Sequence, residues 1–165
     1  MNKRTKKTVS LNEALARARK YCALNERTIR DVSRKFEEYG VMKGDLPDLL
    51  EALIHEGFLN ERRFATAFAG GKFRMKKWGR NRIKAEMKKK GLPEELITVG
   101  LAEIHVQGYL ETLDAILIRK LNILKRKKKE RQQIIASLMR YALQKGYEHS
   151  LVSERIKNLG FDEEI

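Results

Sequence analysis

Apolar residues recur along this chain at three- and four-residue spacing, and the spacing itself repeats. Val32 and Phe36, Ile83 and Met87, and Leu138 and Ala142 stand eight and four residues ahead of Gly40, Gly91 and Gly146. At about 100° per residue, each pair shares one face of a helix. A second glycine, followed by an aromatic, comes after each: Gly57-Phe58, Gly108-Tyr109 and Gly160-Phe161, 51 and 52 residues apart. The gaps from first to second glycine are 17, 17 and 14 residues. A pattern that returns roughly every 50 residues marks a repeated supersecondary unit.

Each unit reads as three short helices. The middle helix ends at the first glycine, which supplies a left-handed C-cap. The third ends at the second glycine, with the aromatic folding back onto its last turn. The predicted helices are 11–24, 28–39 and 46–56, then 60–74, 79–90 and 93–107, then 110–126, 130–145 and 148–159. Thr28 with Asp31 three residues on has the form of a helix-start cap. Pro47 and Pro93 precede helical apolar spacing, where proline is tolerated. Sustained period-2 alternation and Asn-Gly or Asp-Gly turns do not occur. The predicted fold is all-α, with three tandem three-helix repeats in an elongated, curved row. The expected division is a basic, flexible N-terminus at 1–10 and repeats at 11–58, 59–109 and 110–165.

A unit of this size lies near the lower limit for independent stability, so neighbours are expected to share apolar surface. Phe64 and Phe68 are placed to bridge the first and second units, and Leu113, Ile116, Leu117, Leu121 and Leu124 the second and third. Gly70-Gly71 marks a point where helix 60–74 is expected to bend. Leu11, Leu15, Ala18 and Cys22 form a candidate inner face of the first helix.

Composition narrows the function classes. The 165 residues include 36 Lys+Arg and 22 Asp+Glu, a net charge of +14. An apolar run of the roughly 20 residues that a spanning helix needs is missing, and the basic start lacks the apolar stretch of a signal peptide. The single cysteine, Cys22, has no internal disulfide partner, which places the chain in a reducing compartment, the cytoplasm.

Motifs for catalysis are absent. Gly70-Gly71-Lys72 is followed by Phe73, so it is not a phosphate loop, and no dinucleotide fingerprint, HExxH or CxxC occurs. His55, His105 and His149 are dispersed. Asp45, Asp48 and Glu51 suit the acidic start of a helix better than a nuclease carboxylate set. No catalytic residue, cofactor or metal is expected.

Charge is concentrated instead. Residues 72–90 hold ten basic side chains against one acid. From this run the candidate contacts are Lys72, Arg74, Lys76, Lys77, Arg80, Arg82, Lys84, Lys88 and Lys89. Residues 119–131 hold eight basic side chains against one acid, and here the candidates are Lys125, Arg126, Lys127, Lys128, Lys129 and Arg131. With Ile83 and Met87 facing inward, Arg82, Lys84, Lys88 and Lys89 are expected to point outward together. Such crowding repels itself unless a polyanion or acidic protein surface relieves it. Trp78 and Tyr21 are candidates to stack on bases, although packing is the commoner role for single aromatics.

The segment Gly57-Phe58-Leu59-Asn60-Glu61-Arg62-Arg63-Phe64-Ala65-Thr66-Ala67-Phe68 resembles the signature of the RecX family, regulators of the bacterial RecA recombinase. So does Trp78-Gly79-Arg80-Asn81-Arg82-Ile83-Lys84-Ala85-Glu86-Met87-Lys88-Lys89-Lys90-Gly91-Leu92, and Arg27-Thr28 with Asp31-Val32 and Lys35-Phe36 matches the family's first-repeat helix. The chain is expected to be a monomer, and the resemblance implies a non-enzymatic protein of three three-helix repeats. It implies binding along the groove of the RecA–DNA filament, with inhibition of ATPase, strand exchange and co-protease functions in DNA repair and the SOS response. RecA nucleoprotein filaments, and single- or double-stranded DNA directly, are the implied partners. The alternative is a general helical DNA- or RNA-binding protein acting independently of RecA.

Overall fold

The computed structural model describes residues 8–160, and all regular structure among them is helical. The first seven residues of the basic N-terminus, and Phe161 of the third glycine–aromatic pair, lie outside the described residues. The elements are α1 (Leu11–Leu24), α2 (Ile29–Glu38), α3 (Leu46–His55), α4 (Glu61–Lys76), α5 (Arg80–Lys89), α6 (Glu94–Leu101), α7 (Val106–Arg126), α8 (Arg131–Lys145) and α9 (His149–Asn158). The closely packed helix pairs fall inside three triplets, α1–α3, α4–α6 and α7–α9.

Local chemistry explains the helix starts. The Ser10 hydroxyl accepts from the Glu13 amide, and the Asn60 side chain accepts from the Arg63 amide. Thr28 and Asp31 form a reciprocal capping box, each side chain accepting the other's backbone N–H at 3.1 Å. Gly40, Gly91 and Gly146 all take positive φ, at 82°, 82° and 100°, and end α2, α5 and α8. The six apolar positions counted back from them are completely buried.

The second glycine–aromatic pair behaves differently from its expected counterparts. Gly57 and Gly160 have positive φ past the ends of α3 and α9, but Gly108 lies inside the first turn of α7. Helix α6 stops at Leu101 instead of 107, and α7 starts at Val106 instead of 110. The structural counterpart of Leu59-Asn60 is Ile104-His105: a buried aliphatic residue followed by an extended N-cap residue. Tyr109 is therefore not a residue folded back on a helix end. It is a fully buried core residue of α7. The expected bend is also replaced by continuity, since α4 runs through Gly70 and Gly71 to Lys76.

Two apolar cores form. Ala14, Ala18, Cys22, Val32, Phe36, Leu49, Leu53 and Leu59 make the first. Leu11 of the expected α1 face is 44 % exposed, and Ala14 takes its inward place. The second core runs from Phe64 to Ile156 and spans the second and third triplets, with Leu113, Leu117, Leu121 and Leu124 buried in it and Ile116 partly buried against it. Phe73 lies on Tyr109 across the two triplets, with 5.9 Å between ring centroids. Phe64 and Phe68 belong to this second core and stack on each other at 5.4 Å, so they do not bridge the first and second units. That joint is polar: Arg63 pairs with Glu26 and donates to the Gly57 carbonyl at 3.0 Å, and Arg30 donates to the Lys89 carbonyl at 2.6 Å.

The joint between the second and third triplets is a meeting of two turns. The Gly79 amide donates to the Lys145 carbonyl at 2.7 Å, and the Asn81 amide donates to that of Gly146 at 2.9 Å. Behind them Tyr109 and Tyr147 lie 4.9 Å apart, ring centroid to centroid.

Candidate nucleic-acid interface

The structure sorts the candidate cations by what faces them. Lys84 and Lys88 both reach Glu94 on α6, at 3.0 and 3.9 Å. Lys89 pairs with Glu86 at 3.2 Å. Arg80 turns inward, with its guanidinium 3.5 Å from Glu148 and 3.9 Å from the Tyr109 ring centroid. The outer face of α5 is thus partly neutralised by its own chain, and Lys84 holds the Glu94 carboxyl below the usual range.

Lys72, Arg74, Lys76, Lys77 and Arg82 have no carboxylate partner among the described residues. They lie on the last turns of α4, the connection to α5 and its first turn. Lys77 adopts the left-handed region, φ 58°, at the end of α4, and its ammonium donates to the Arg74 carbonyl. That tight turn brings Lys76, Lys77 and Arg82 against the end of α8, where the Arg82 guanidinium donates to the Gln144 carbonyl at 3.4 Å. There the Lys145 ammonium donates to the Lys76 carbonyl at 3.3 Å and the Tyr147 hydroxyl to the Lys77 carbonyl at 3.0 Å.

Aromatic rings sit between these charges. Trp78 has the Lys72 ammonium 5.1 Å and the Arg82 guanidinium 4.2 Å from its ring centroids, which is cation–π distance. Tyr141 on α8 holds Lys120 at 5.1 Å and Lys145 at 5.8 Å. Lys90 stands 5.8 Å from Phe68. Tyr21, the other stacking candidate, is on α1 and is covered by Arg27 at 3.8 Å. The sequence reading overlooked Lys145, which lies outside both charge runs, and did not select Lys90 or Lys120. One signal marked two of them: Lys90 and Lys145 each directly precede a capping glycine.

The second basic run is not brought onto this patch. Lys125 and Arg126 end α7, Arg131 starts α8, and Lys127, Lys128 and Lys129 form the exposed connection. The Tyr109–Tyr147 contact places the start of α7 beside the end of α8. The lysine connection therefore lies at the far end, about 24 Å away at 1.5 Å per residue. Lys120 is intermediate, roughly 7 Å short of Lys125 along the same axis. The result is a ridge of cations and rings from Lys72 through Trp78, Arg82, Lys145, Tyr141 and Lys120 toward the loop.

Other chemistry is not assembled. Among the described residues no group of three His, Cys, Asp or Glu side chains is placed to hold a metal ion. Asp45 precedes α3, and Asp48, Glu51 and His55 are exposed along it. Cys22 is buried, and desolvation pushes its thiol upward, away from the thiolate a nucleophile needs. No helix among the described residues is long and apolar enough to cross a membrane.

Residues 60–101 match the family model described as RecX, second three-helix domain. Regulatory protein RecX of Clostridium perfringens strain 13 is 26 % identical over 133 residues, or 81 % of this chain. The chain spans 62 % of that relative's length. The crystal structure of RecX from Lactobacillus salivarius superposes with a TM-score of 0.82 at 16 % identity, covering 92 % of this chain and 97 % of that one. A second crystal structure of regulatory protein RecX gives 0.79 at 18 % identity, over 89 % of this chain and 71 % of the other.

Proposed function

We propose that the chain, similar along 81 % of its length to a RecX regulatory protein and matching RecX crystal structures in fold, is a non-enzymatic regulator that binds the RecA–DNA filament and inhibits its ATPase, strand-exchange and co-protease functions. The observation that carries this reading is the carboxylate-free group Lys72, Arg74, Lys76, Lys77 and Arg82, extended by Lys145 and Lys120. A filament presents a repeating groove with phosphates inside it. A row of helix triplets with an unneutralised basic ridge is suited to follow such a track, and each phosphate neutralised makes affinity fall with salt. The turn-to-turn joint holds Trp78, Arg82 and Lys145 in a fixed relation before binding, so little ordering is required on contact.

Direct binding of DNA or RNA without RecA is the second reading, favoured by the alternation of Lys72, Trp78, Arg82, Lys145, Tyr141 and Lys120. Cations interleaved with rings also suit a single strand. Co-sedimentation with RecA filaments, beside binding to the same oligonucleotide without RecA, separates the two. The regulatory reading expects saturable recruitment to filaments that exceeds recruitment to naked DNA. Equal recruitment to both supports the general binder.

A further inference from the structure

One flank of α4 borders an open groove of about 320 Å3, with Phe64, Phe68, Gly71 and Met75 on its floor and Glu26 and Lys72 in its walls. The apolar surface is uncovered: Met75 is 75 % exposed, as is Leu24, two residues before Glu26, at 76 %. Gly71 is unlike the glycines that the fold demands. A β-carbon on Gly79, Gly100 or Gly146 would strike the backbone of another element within 2.7 Å. One on Gly71 would meet only the Met75 methyl, at 3.5 Å. Glycine in mid-helix weakens α4, and no close backbone approach requires it at this position. Gly71 is itself buried, and what stands over it is the exposed Met75 side chain, which a ligand from outside can displace.

Charge identifies the kind of occupant. The Lys72 ammonium stands 5.5 Å from the Phe68 ring, and that of Lys90 is 5.8 Å from it and 5.7 Å from the Phe64 ring. Neither has a carboxylate partner among the described residues. An apolar floor beneath two such lysines complements an apolar strip flanked by carboxylates. Phosphate chains fit poorly, because the apolar floor offers phosphate no donor. A second copy of a chain with net charge +14 is disfavoured by repulsion.

We propose that this groove docks an acidic amphipathic helix of a protein partner, with its apolar strip on Phe68, Gly71 and Met75 and its carboxylates on Lys72 and Lys90. The contact is helix-in-groove recognition. It goes beyond the filament-regulating reading and does not depend on it.

The test uses the full chain and two labelled synthetic amphipathic helices, with leucines at helical spacing flanked by glutamates in one and by lysines in the other. The glutamate helix binds about tenfold more tightly than the lysine helix, as two ion pairs allow. Gly71→Leu fills the groove, favours helix, and lowers glutamate-helix binding by about tenfold or more, while oligothymidine binding stays as in wild type. In the Lys72→Glu/Lys90→Glu variant the preference between the two helices reverses. The proposal is overturned if the wild type ignores the glutamate helix or if Gly71→Leu binds it unchanged.

Discussion

Gly79 and Gly146 meet backbone to backbone: a β-carbon on Gly79 would lie 2.3 Å from the Gly146 carbonyl carbon and 2.4 Å from its oxygen. Two turns from different triplets can exchange hydrogen bonds only at this approach. Gly146 carries a second constraint, φ 100°, with Arg82 Cβ 2.4 Å from where its own β-carbon would sit. Gly79→Ala should cost about 1–3 kcal/mol by overpacking. Gly146→Ala should cost more, because left-handed strain of roughly 1–2 kcal/mol is added. Urea denaturation of both variants measures this, and wild-type stability in either would show that the joint can open without loss.

Tyr109 and Tyr147 give the same joint a pH dependence. The Tyr109 hydroxyl accepts from the Arg80 amide at 3.0 Å and donates to Glu148 at 2.8 Å. Burial, first among the causes, raises both tyrosines well above the ordinary phenol range. Unfolded tyrosines ionise near pH ~10 while these stay protonated, so their contribution is complete below that pH and is lost as pH rises above it. Stability should therefore fall more steeply above pH ~10 in wild type than in Tyr109→Phe/Tyr147→Phe. Equal slopes would place the two phenols in contact with solvent.

The two cores predict two cooperative units. Leu53 is fully buried in the first core, and Leu117 in the second. Leu53→Ala should cost about 2–5 kcal/mol and lower hydrogen-exchange protection in α1–α3 while leaving α4–α9 close to wild type. Leu117→Ala should do the reverse. Loss of protection across the whole chain in Leu53→Ala would mean that the polar joint at Arg63–Glu26 and Arg30 couples the units fully.

Much of this fold was legible in the residues. The C-cap glycines and the positions eight and four before them depend on local backbone chemistry and helix periodicity, which a single sequence carries. Gly108-Tyr109 misled because a glycine–aromatic pair is a pattern without a conformation. Only the positive φ distinguishes a C-cap, and Gly108 lacks it. The charge runs were visible, but the partners were not, since Glu94 reaches Lys84 and Lys88 from the next helix. Lys145 meets Lys76 across 69 positions of sequence, a tertiary relation that no local spacing encodes.

The sorting of cations makes a quantitative prediction. Lys76→Gln/Lys77→Gln/Arg82→Gln/Lys145→Gln should flatten the salt dependence of binding to RecA–DNA filaments by about 3 log units per decade, if each side chain meets a phosphate. Lys84→Gln/Lys88→Gln/Lys89→Gln removes charges already facing Glu94 and Glu86 and should change the slope less. A salt series of filament binding, with melting temperature as the control for folding, decides between the two faces. A larger effect from the second set would return the interface to the outer face of α5.

RecA ATP hydrolysis on single-stranded DNA, titrated with wild type and with the four-glutamine variant, tests the regulatory account most directly. Wild type should slow hydrolysis in a saturable way. The folded variant should need about tenfold more protein, equivalent to about 1.4 kcal/mol of lost binding. An unchanged hydrolysis rate at saturating wild type, or equal inhibition by the variant, would contradict the account.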